Sequence, residues 1–201
     1  MFVVSGPSGT GKSAICAGLT ASAEAMLSVS MTTRAPRERE AEGKDYFFVE
    51  KERFEEVIAE RGFLEYAEVF GEYYGTPRAP VEKELDMGND VILEIDVDGA
   101  MQIKAIMPDA VLVFIMPPSA KELRKRIEGR GTETAGSIAL RLDRADAEIA
   151  KVGEYDYCVV NDDIEKAVGE VAAIIRAEKL KVGAAADTII ERYYIRGLQE
   201  K

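Results

Sequence analysis

Short continuous apolar runs alternate along this chain with stretches in which apolar residues recur every three or four positions, and the alternation predicts strand-helix units built on a parallel sheet. The runs are Met1 to Val4, Val91 to Ile95, Val111 to Met116 and Asp156 to Val160. Each is short, β-branched and bounded by Gly, Pro, Asn or Asp, as a strand buried on both faces requires. Helices are predicted over Lys12 to about Ala25, Pro77 to Met87, Ala100 to Met107, Ala120 to Glu128, Ala135 to about Val152, and from Ile164 onward. Ser119 is placed to cap the fourth of these, and Asp162 or Asp163 the last. In the helix from Ala135, residues Ile138, Leu142, Ala145, Ile149 and Val152 form an apolar stripe, with Arg141 and Arg144 together on a polar side.

A second pattern interrupts the first. After the β-prone run Leu27 to Ser30, three arginines fall within six positions around Pro36. An aromatic-rich strand, Gly43 to Val49, follows, then an amphipathic helix from Lys51 to about Glu60 with Phe54, Val57 and Ile58 on one face. Gly62 to Gly71 alternates as a strand, and Glu72 to Pro77 reads as a turn. Residues 31–76 are therefore expected to form a small β-rich lobe inserted after the second core strand. Its aromatic content suffices for a satellite core only.

The chemistry begins in the loop after the first strand. Gly6-Pro7-Ser8-Gly9-Thr10-Gly11-Lys12-Ser13 satisfies G-x-x-x-x-G-K-[ST] between a strand and a helix, the context that makes the motif a phosphate cradle. Its glycines let backbone N–H groups converge, Lys12 reaches terminal phosphates of a nucleoside triphosphate, and the Ser13 hydroxyl ligates the accompanying magnesium ion. A glycine-rich turn is the plain alternative, and the spacing argues against it. Between residues 121 and 130 five basic residues face two acidic ones. The glycines around Arg130 suggest a hinged segment of the kind a closing lid needs.

Composition narrows the field. A net charge of -11 argues against a general nucleic-acid or anionic-membrane binder. The chain has no His, so chemistry must rest on Lys, Arg, carboxylates, positioning and a borrowed metal. Cys16 and Cys158 read as buried thiols, and with no run near the roughly 20 apolar residues of a membrane span a cytoplasmic protein is expected. A phosphate loop alone also fits a GTPase, an ATPase motor or a sulfotransferase-like enzyme. No N-K-x-D base-reading stretch is present, and an inserted lobe plus an arginine-rich hairpin suits phosphoryl transfer with an acceptor lobe and a donor lid.

The sequence resembles the guanylate kinases, nucleoside monophosphate kinases that move a phosphoryl group from ATP to GMP. The resemblance runs from Met1 to about Lys179. It is carried by the glycine loop, by Ser28-Val-Ser-Met-Thr-Thr-Arg-Ala-Pro-Arg37, Gly43-Lys-Asp-Tyr-Phe-Phe48, Phe63-Leu-Glu-Tyr-Ala-Glu-Val-Phe-Gly71, Tyr73-Tyr-Gly-Thr76, Glu94-Ile-Asp-Val-Asp-Gly99, Glu128-Gly-Arg-Gly-Thr-Glu133 and Val160-Asn-Asp-Asp163. It implies a three-layer α/β phosphate-loop fold with a parallel core sheet: core 1–30, 77–118 and 153–184, a GMP-binding lobe 31–76 and a helical lid 119–152. Residues 1–184 form one domain and 185–201 a helical tail. The resemblance also implies that Arg34, Arg37, Tyr46 and Tyr74 hold the GMP phosphate and that Glu65 reads guanine through N1–H and the 2-amino group. Ser30, Thr76 and Asp96 complete that site, Asp96 also lying near the metal. Arg126, Arg130 and Arg141 match lid arginines, Asn161 a position near the donor adenine, and ATP, magnesium, GMP and dGMP are the implied ligands. Glu94 and Asp98 depart from the usual Asp and Gln, which brings extra carboxylates toward the metal. Arg144 matches no motif.

Two readings compete with catalysis on GMP. One is the guanylate-kinase-like domain of membrane scaffolds, which lacks a working phosphate loop; the intact Gly11, Lys12 and Ser13 oppose it. The other is a kinase of the same fold acting on a sugar phosphate such as a ribose bisphosphate, which would leave Glu65, Ser30 and Asp96 without partners. Oligomeric state is not legible.

Overall fold

A computed structural model of the chain describes residues 1–22, 25–38, 40–69, 71–129, 135–182, 186, 190, 191 and 193. The first apolar run is β1 (Phe2–Ser5), followed through the glycine loop by α1 (Lys12–Ala21) and by β2 (Met26–Leu27). The inserted lobe holds β3 (Ser30–Thr32), β4 (Tyr46–Phe48), α2 (Lys51–Ala59), β5 (Phe63–Val69) and β6 (Glu72–Pro77). The core resumes with α3 (Arg78–Asp86), β7 (Val91–Glu94), α4 (Val97–Ile106) and β8 (Val111–Met116). The hairpin α5 (Ala120–Glu128) and α6 (Ala135–Ile149) follows, then a 3-10 turn, Val152–Glu154, and finally β9 (Tyr157–Val160) and α7 (Ile164–Lys179).

The core sheet has the order β2-β7-β1-β8-β9 with every pairing parallel. Alternation along β1 sends Phe2 and Val4 to a layer with Ile15, Leu19, Val171 and Ile175 from α1 and α7. Val3 faces the other way, onto Val81, Ala100 and Ile103 from α3 and α4. Helices on both sides are why the strands read as unbroken apolar runs. Three layers result, and β1, at the centre, delivers the glycine loop at its carboxyl end, where open parallel sheets bind ligands.

The lobe is a separate four-stranded sheet of order β4-β3-β6-β5. Phe54 of α2 stacks on Phe63 at 4.4 Å and on Tyr73 at 5.3 Å between ring centroids, and these rings with Val57 make its satellite core.

Four expectations change. The run Leu27 to Ser30 is divided between two sheets, ending β2 and beginning β3, because the chain leaves the core sheet there. Glu72 to Pro77 is a strand rather than a turn: Gly71, at φ 84°, makes the reversal, and Tyr74 and Gly75 pair with both β3 and β5. The helix expected from Ala100, α4, begins at Val97, because the Asp96 carboxylate caps it by accepting from the Gly99 N–H. Cys158 is exposed, whereas Cys16 is buried. β9 lies at the sheet edge, where Val159 turns inward while Cys158 and Val160 face out. Most of the tail expected at 185–201 lies outside the described residues.

Candidate active site

The glycine loop is shaped by backbone that side chains oppose. Gly6, Gly9 and Gly11 all take positive φ, and a Cβ on Gly6 would stand 2.4 Å from the Ile115 carbonyl of β8. α1 starts behind Gly11, which has no side chain to cap it, so the first-turn N–H groups are left for an anion. Lys12 is curled onto its own loop, its Nζ donating to the carbonyls of Gly6 at 2.6 Å and Pro7 at 3.0 Å. Burial lowers the Lys12 pKa, while the carboxylates of Glu94, Glu148 and Asp96 pull it back up. Ser13 donates to Glu94 Oε1 at 2.5 Å. Asn161 is buried behind the loop, with Nδ2 donating to the Thr10 carbonyl at 2.7 Å. Its amide thus braces the loop.

Across the cleft the lobe supplies arginine, phenol and carboxylate. The Arg34 guanidinium lies 5.5 Å from the Tyr46 ring centroid, and Tyr46 meets Tyr74 edge-on at 6.0 Å. Both Arg34 fork nitrogens donate to Glu40, at 3.0 and 2.9 Å, and the Arg37 N–H donates to the same carboxylate at 2.8 Å. The Arg34 fork therefore lowers the pKa of its Glu40 partner, with the Arg37 N–H adding to it and burial opposing it. The Arg34 Nε is buried without a hydrogen-bond partner among the described residues, and Arg34 stands behind the residues that line the cleft.

Glu65 is the exceptional group. On β5, only 5% exposed, it accepts from Thr76 Oγ1 at 2.6 Å. Burial pushes its carboxyl up to about 7, opposed by the Thr76 hydrogen bond and reinforced by the charge of Asp96. Lys12, Ser13, Ser30, Arg37, Tyr46, Glu65, Tyr74, Asp96 and Arg141 line one cleft of about 490 Å³, within the range of small-molecule sites. It opens into a larger space of about 1200 Å³ between lobe and core, to which Ser13, Ser30 and Tyr46 also contribute.

The hairpin α5–α6 covers the loop from the other side. Leu123 and Ile127 of α5 would meet a Cβ on Gly9 at 3.4 and 3.3 Å, so the hairpin packs directly on the phosphate loop. Arg141 reaches Ser8 Oγ at 3.4 Å. Arg126 points elsewhere: its Nη2 donates to the Asn161 carbonyl at 3.1 Å and its Nε to Glu122 at 3.3 Å. Arg130 lies outside the described residues.

Comparison with known proteins bears on what this arrangement is. A sequence model of guanylate kinase matches residues 1–178. The chain belongs to the guanylate kinase family. It is 50% identical to a guanylate kinase of Clostridium acetobutylicum over 95% of this chain and 91% of that one. A Thermus thermophilus guanylate kinase is 46% identical over 94% and 86%. The crystal structure of guanylate kinase from Anaplasma phagocytophilum superposes with a TM-score of 0.76 at 40% identity, covering 90% of this chain and 86% of that one. The three-layer phosphate-loop fold and the class of nucleoside monophosphate kinase follow from these relationships.

Within that guanylate kinase frame, several site residues escaped the sequence reading. Arg144 lies in the cleft, donating to Asp96 Oδ2 and to Glu148 Oε1, both at 2.9 Å. Its spacing of three from Arg141 was the available signal. Glu40, within the arginine-rich segment around Pro36, is the acceptor that organises Arg34 and Arg37. Asp98, expected to crowd the metal, pairs instead with Lys151 at 2.7 Å. The oxygen donors that fit magnesium are the Ser13 hydroxyl and Glu94, hydrogen-bonded to each other. Among the described residues no cluster of three or more acidic, Cys or His groups forms a cage. That sparse donor set suits an ion that arrives with substrate phosphates and keeps most of its waters.

Proposed function

We propose that the chain transfers the terminal phosphoryl group of ATP to GMP and dGMP, giving ADP and the nucleoside diphosphate, in the cytoplasm as part of purine nucleotide metabolism. The observation that carries the base assignment is Glu65, buried in the wall of the cleft with one oxygen on Thr76 and the other against the Gly99 backbone. A buried carboxylate of this kind accepts the N1–H and 2-amino donors of guanine. Adenine has no such pair, and binding it would leave the carboxylate unpaired at a cost of several kcal/mol.

In this reading the lobe at 31–76 holds the acceptor. Arg34, Arg37, Tyr46 and Tyr74 bind its phosphate, and Ser30, Thr76, Glu65 and Asp96 surround the base. The loop from Gly6 through Pro7, Ser8, Gly9, Thr10, Gly11, Lys12 and Ser13 binds the donor phosphates, with Asn161 fixing the loop beside the donor. Magnesium, held by Ser13 with Glu94 behind it, neutralises charge on those phosphates when bound. An oxygen of the GMP phosphate attacks the terminal phosphorus as the bond to the ADP oxygen breaks. The attacking group is already anionic, so no general base is needed and the absence of His is no obstacle. Lys12 and the lid arginines Arg130 and Arg141 stabilise the charge that spreads over the transferred group, and Arg126 would join them only by leaving Glu122 and the Asn161 carbonyl. No helix of the described residues is long and apolar enough to cross a membrane, and small molecules are the partners proposed, with neither nucleic acid nor lipid.

Two substitutions separate these roles. Lys12→Met is expected to abolish turnover while leaving GMP affinity within about threefold of the parent. Glu65→Gln is expected to lower kcat/KM for GMP about a hundredfold and to narrow the preference over AMP. Unchanged turnover in the first, or an unchanged preference in the second, would overturn the corresponding assignment.

A further inference from the structure

Arg144 stands on α6 three residues beyond Arg141, on the same helical face. Its Nη2 donates to Asp96 Oδ2 at 2.9 Å, and its Nε to Glu148 Oε1 at 2.9 Å. The other oxygen of Asp96, Oδ1, accepts from the Gly99 N–H at 2.8 Å. One oxygen of Asp96 is thus fixed by the core helix α4 and the other by the lid.

Glu65 leans over the same turn. A Cβ on Gly99 would stand 2.6 Å from Glu65 Oε2 and 3.3 Å from Asp96 Oδ1, so the two carboxylates share one patch of backbone. Like charges this close repel unless one is compensated, and Arg144 supplies the compensation from the lid. Seven residues further along, Lys151 donates to Asp98 Oδ1 at 2.7 Å. Arg144 and Lys151 therefore pin α6 and its end to the β7–α4 turn by two ion pairs, while Arg141 of the same helix meets the phosphate loop at Ser8. One rigid helix touches the donor loop and the acidic turn of the base site together.

We propose that Arg144 is a positioning residue through which the lid orients Asp96 toward the guanine base, so that donor bound beneath the lid and acceptor bound beside Asp96 strengthen each other. The inference rests on the reading of Asp96 as part of the guanine site. Arg144 touches neither reacting phosphate in this account. Its effect reaches the reaction through the carboxylate it holds, and binding coupling is reciprocal by linkage.

The test is calorimetric titration of GMP into the full chain, with and without saturating magnesium β,γ-imido ATP. In the parent protein the ATP analogue is expected to tighten GMP binding on the order of fivefold or more. In Arg144→Met that ratio falls to near one, KM for GMP rises about tenfold, kcat changes less than KM, and Arg144→Lys restores most of the ratio. Arg144→Gln, neutral but able to keep one hydrogen bond, carries the comparison if Arg144→Met does not fold, and its ratio is also expected to fall. A parent-like ratio in either neutral variant overturns the proposal. Asp96→Asn separates the two layers of the argument. If it leaves GMP affinity unchanged, the guanine-site reading of Asp96 fails; if it weakens GMP while the neutral Arg144 variants do not, only the positioning role fails. The double variant Arg144→Met with Asp96→Asn is expected to bind GMP no more weakly than Asp96→Asn alone, and additive losses would count against a route through Asp96.

Discussion

Glu65 carries both recognition and a cost. Its carboxyl sits at about 7 against an ordinary 4.5, so the folded protein holds more protons than the unfolded chain across that window. Stability therefore falls as pH rises from about 4.5 to 7 and levels off above, by at most about 3 kcal/mol for this group. Guanine requires the ionised form, so affinity moves oppositely to stability. GMP affinity is expected to drop about tenfold per pH unit below 7 relative to Glu65→Gln, in which the Glu65-dependent slope disappears. Glu65→Gln should also melt at higher temperature than the parent at pH 8 and at nearly the same temperature at pH 5. Titration calorimetry and thermal melts over pH 5 to 8.5 check both; a parallel pH dependence of GMP binding in the two proteins would show that another group titrates.

At the scale of elements, the site depends on where one short turn places its backbone. The turn from β7 into α4 carries Glu94, Asp96, Asp98 and Gly99, and each meets a different neighbour: Ser13, Arg144, Lys151 and Glu65. Gly99 leaves no room for a side chain, since a Cβ there would stand 2.6 Å from the Glu65 carboxylate. Gly99→Ala is therefore expected to weaken GMP about tenfold or more while magnesium β,γ-imido ATP binds as in the parent, both read by calorimetry. Equal loss of both ligands would mean that the turn supports the whole cleft rather than the base site. The glycine loop was legible in the sequence because its eight residues are contiguous and its geometry follows from Gly, Lys and Ser at fixed spacing. The pairing of Arg144 with Asp96 spans 48 positions, and no periodicity within either segment encodes a contact made only when α6 meets the turn after β7. Glu40 was hidden for another reason: Glu38, Glu40 and Glu42 are interleaved with the arginines around Pro36, and local charge balance looks the same whether a glutamate is solvated or held in an arginine fork.

At the scale of the whole molecule, the parallel core was readable because strands covered on both faces must be continuously apolar. Its edge was not: Cys158 and Val160 belong to an apolar run, and only the sheet order reveals that one side of β9 lacks a covering helix. β6 was misread for a related reason, since Tyr73, Tyr74 and Gly75 gain strand conformation from partners on both sides rather than from their own propensity. A chain of net charge -11 nevertheless brings Lys12, Arg37, Arg141 and Arg144 to one cleft, where they balance the carboxylates of Glu65, Glu94, Asp96 and Glu148, so an anionic ligand is not met there by the chain's overall negative excess. In the proposed function this cleft passes a phosphoryl group to a guanine nucleotide. The most direct measurement is ADP formation from magnesium ATP with GMP, dGMP, AMP, UMP and ribose 1,5-bisphosphate compared as acceptors. Turnover confined to GMP and dGMP is the predicted result; turnover on the sugar phosphate, or GMP binding without turnover on any acceptor, would contradict it.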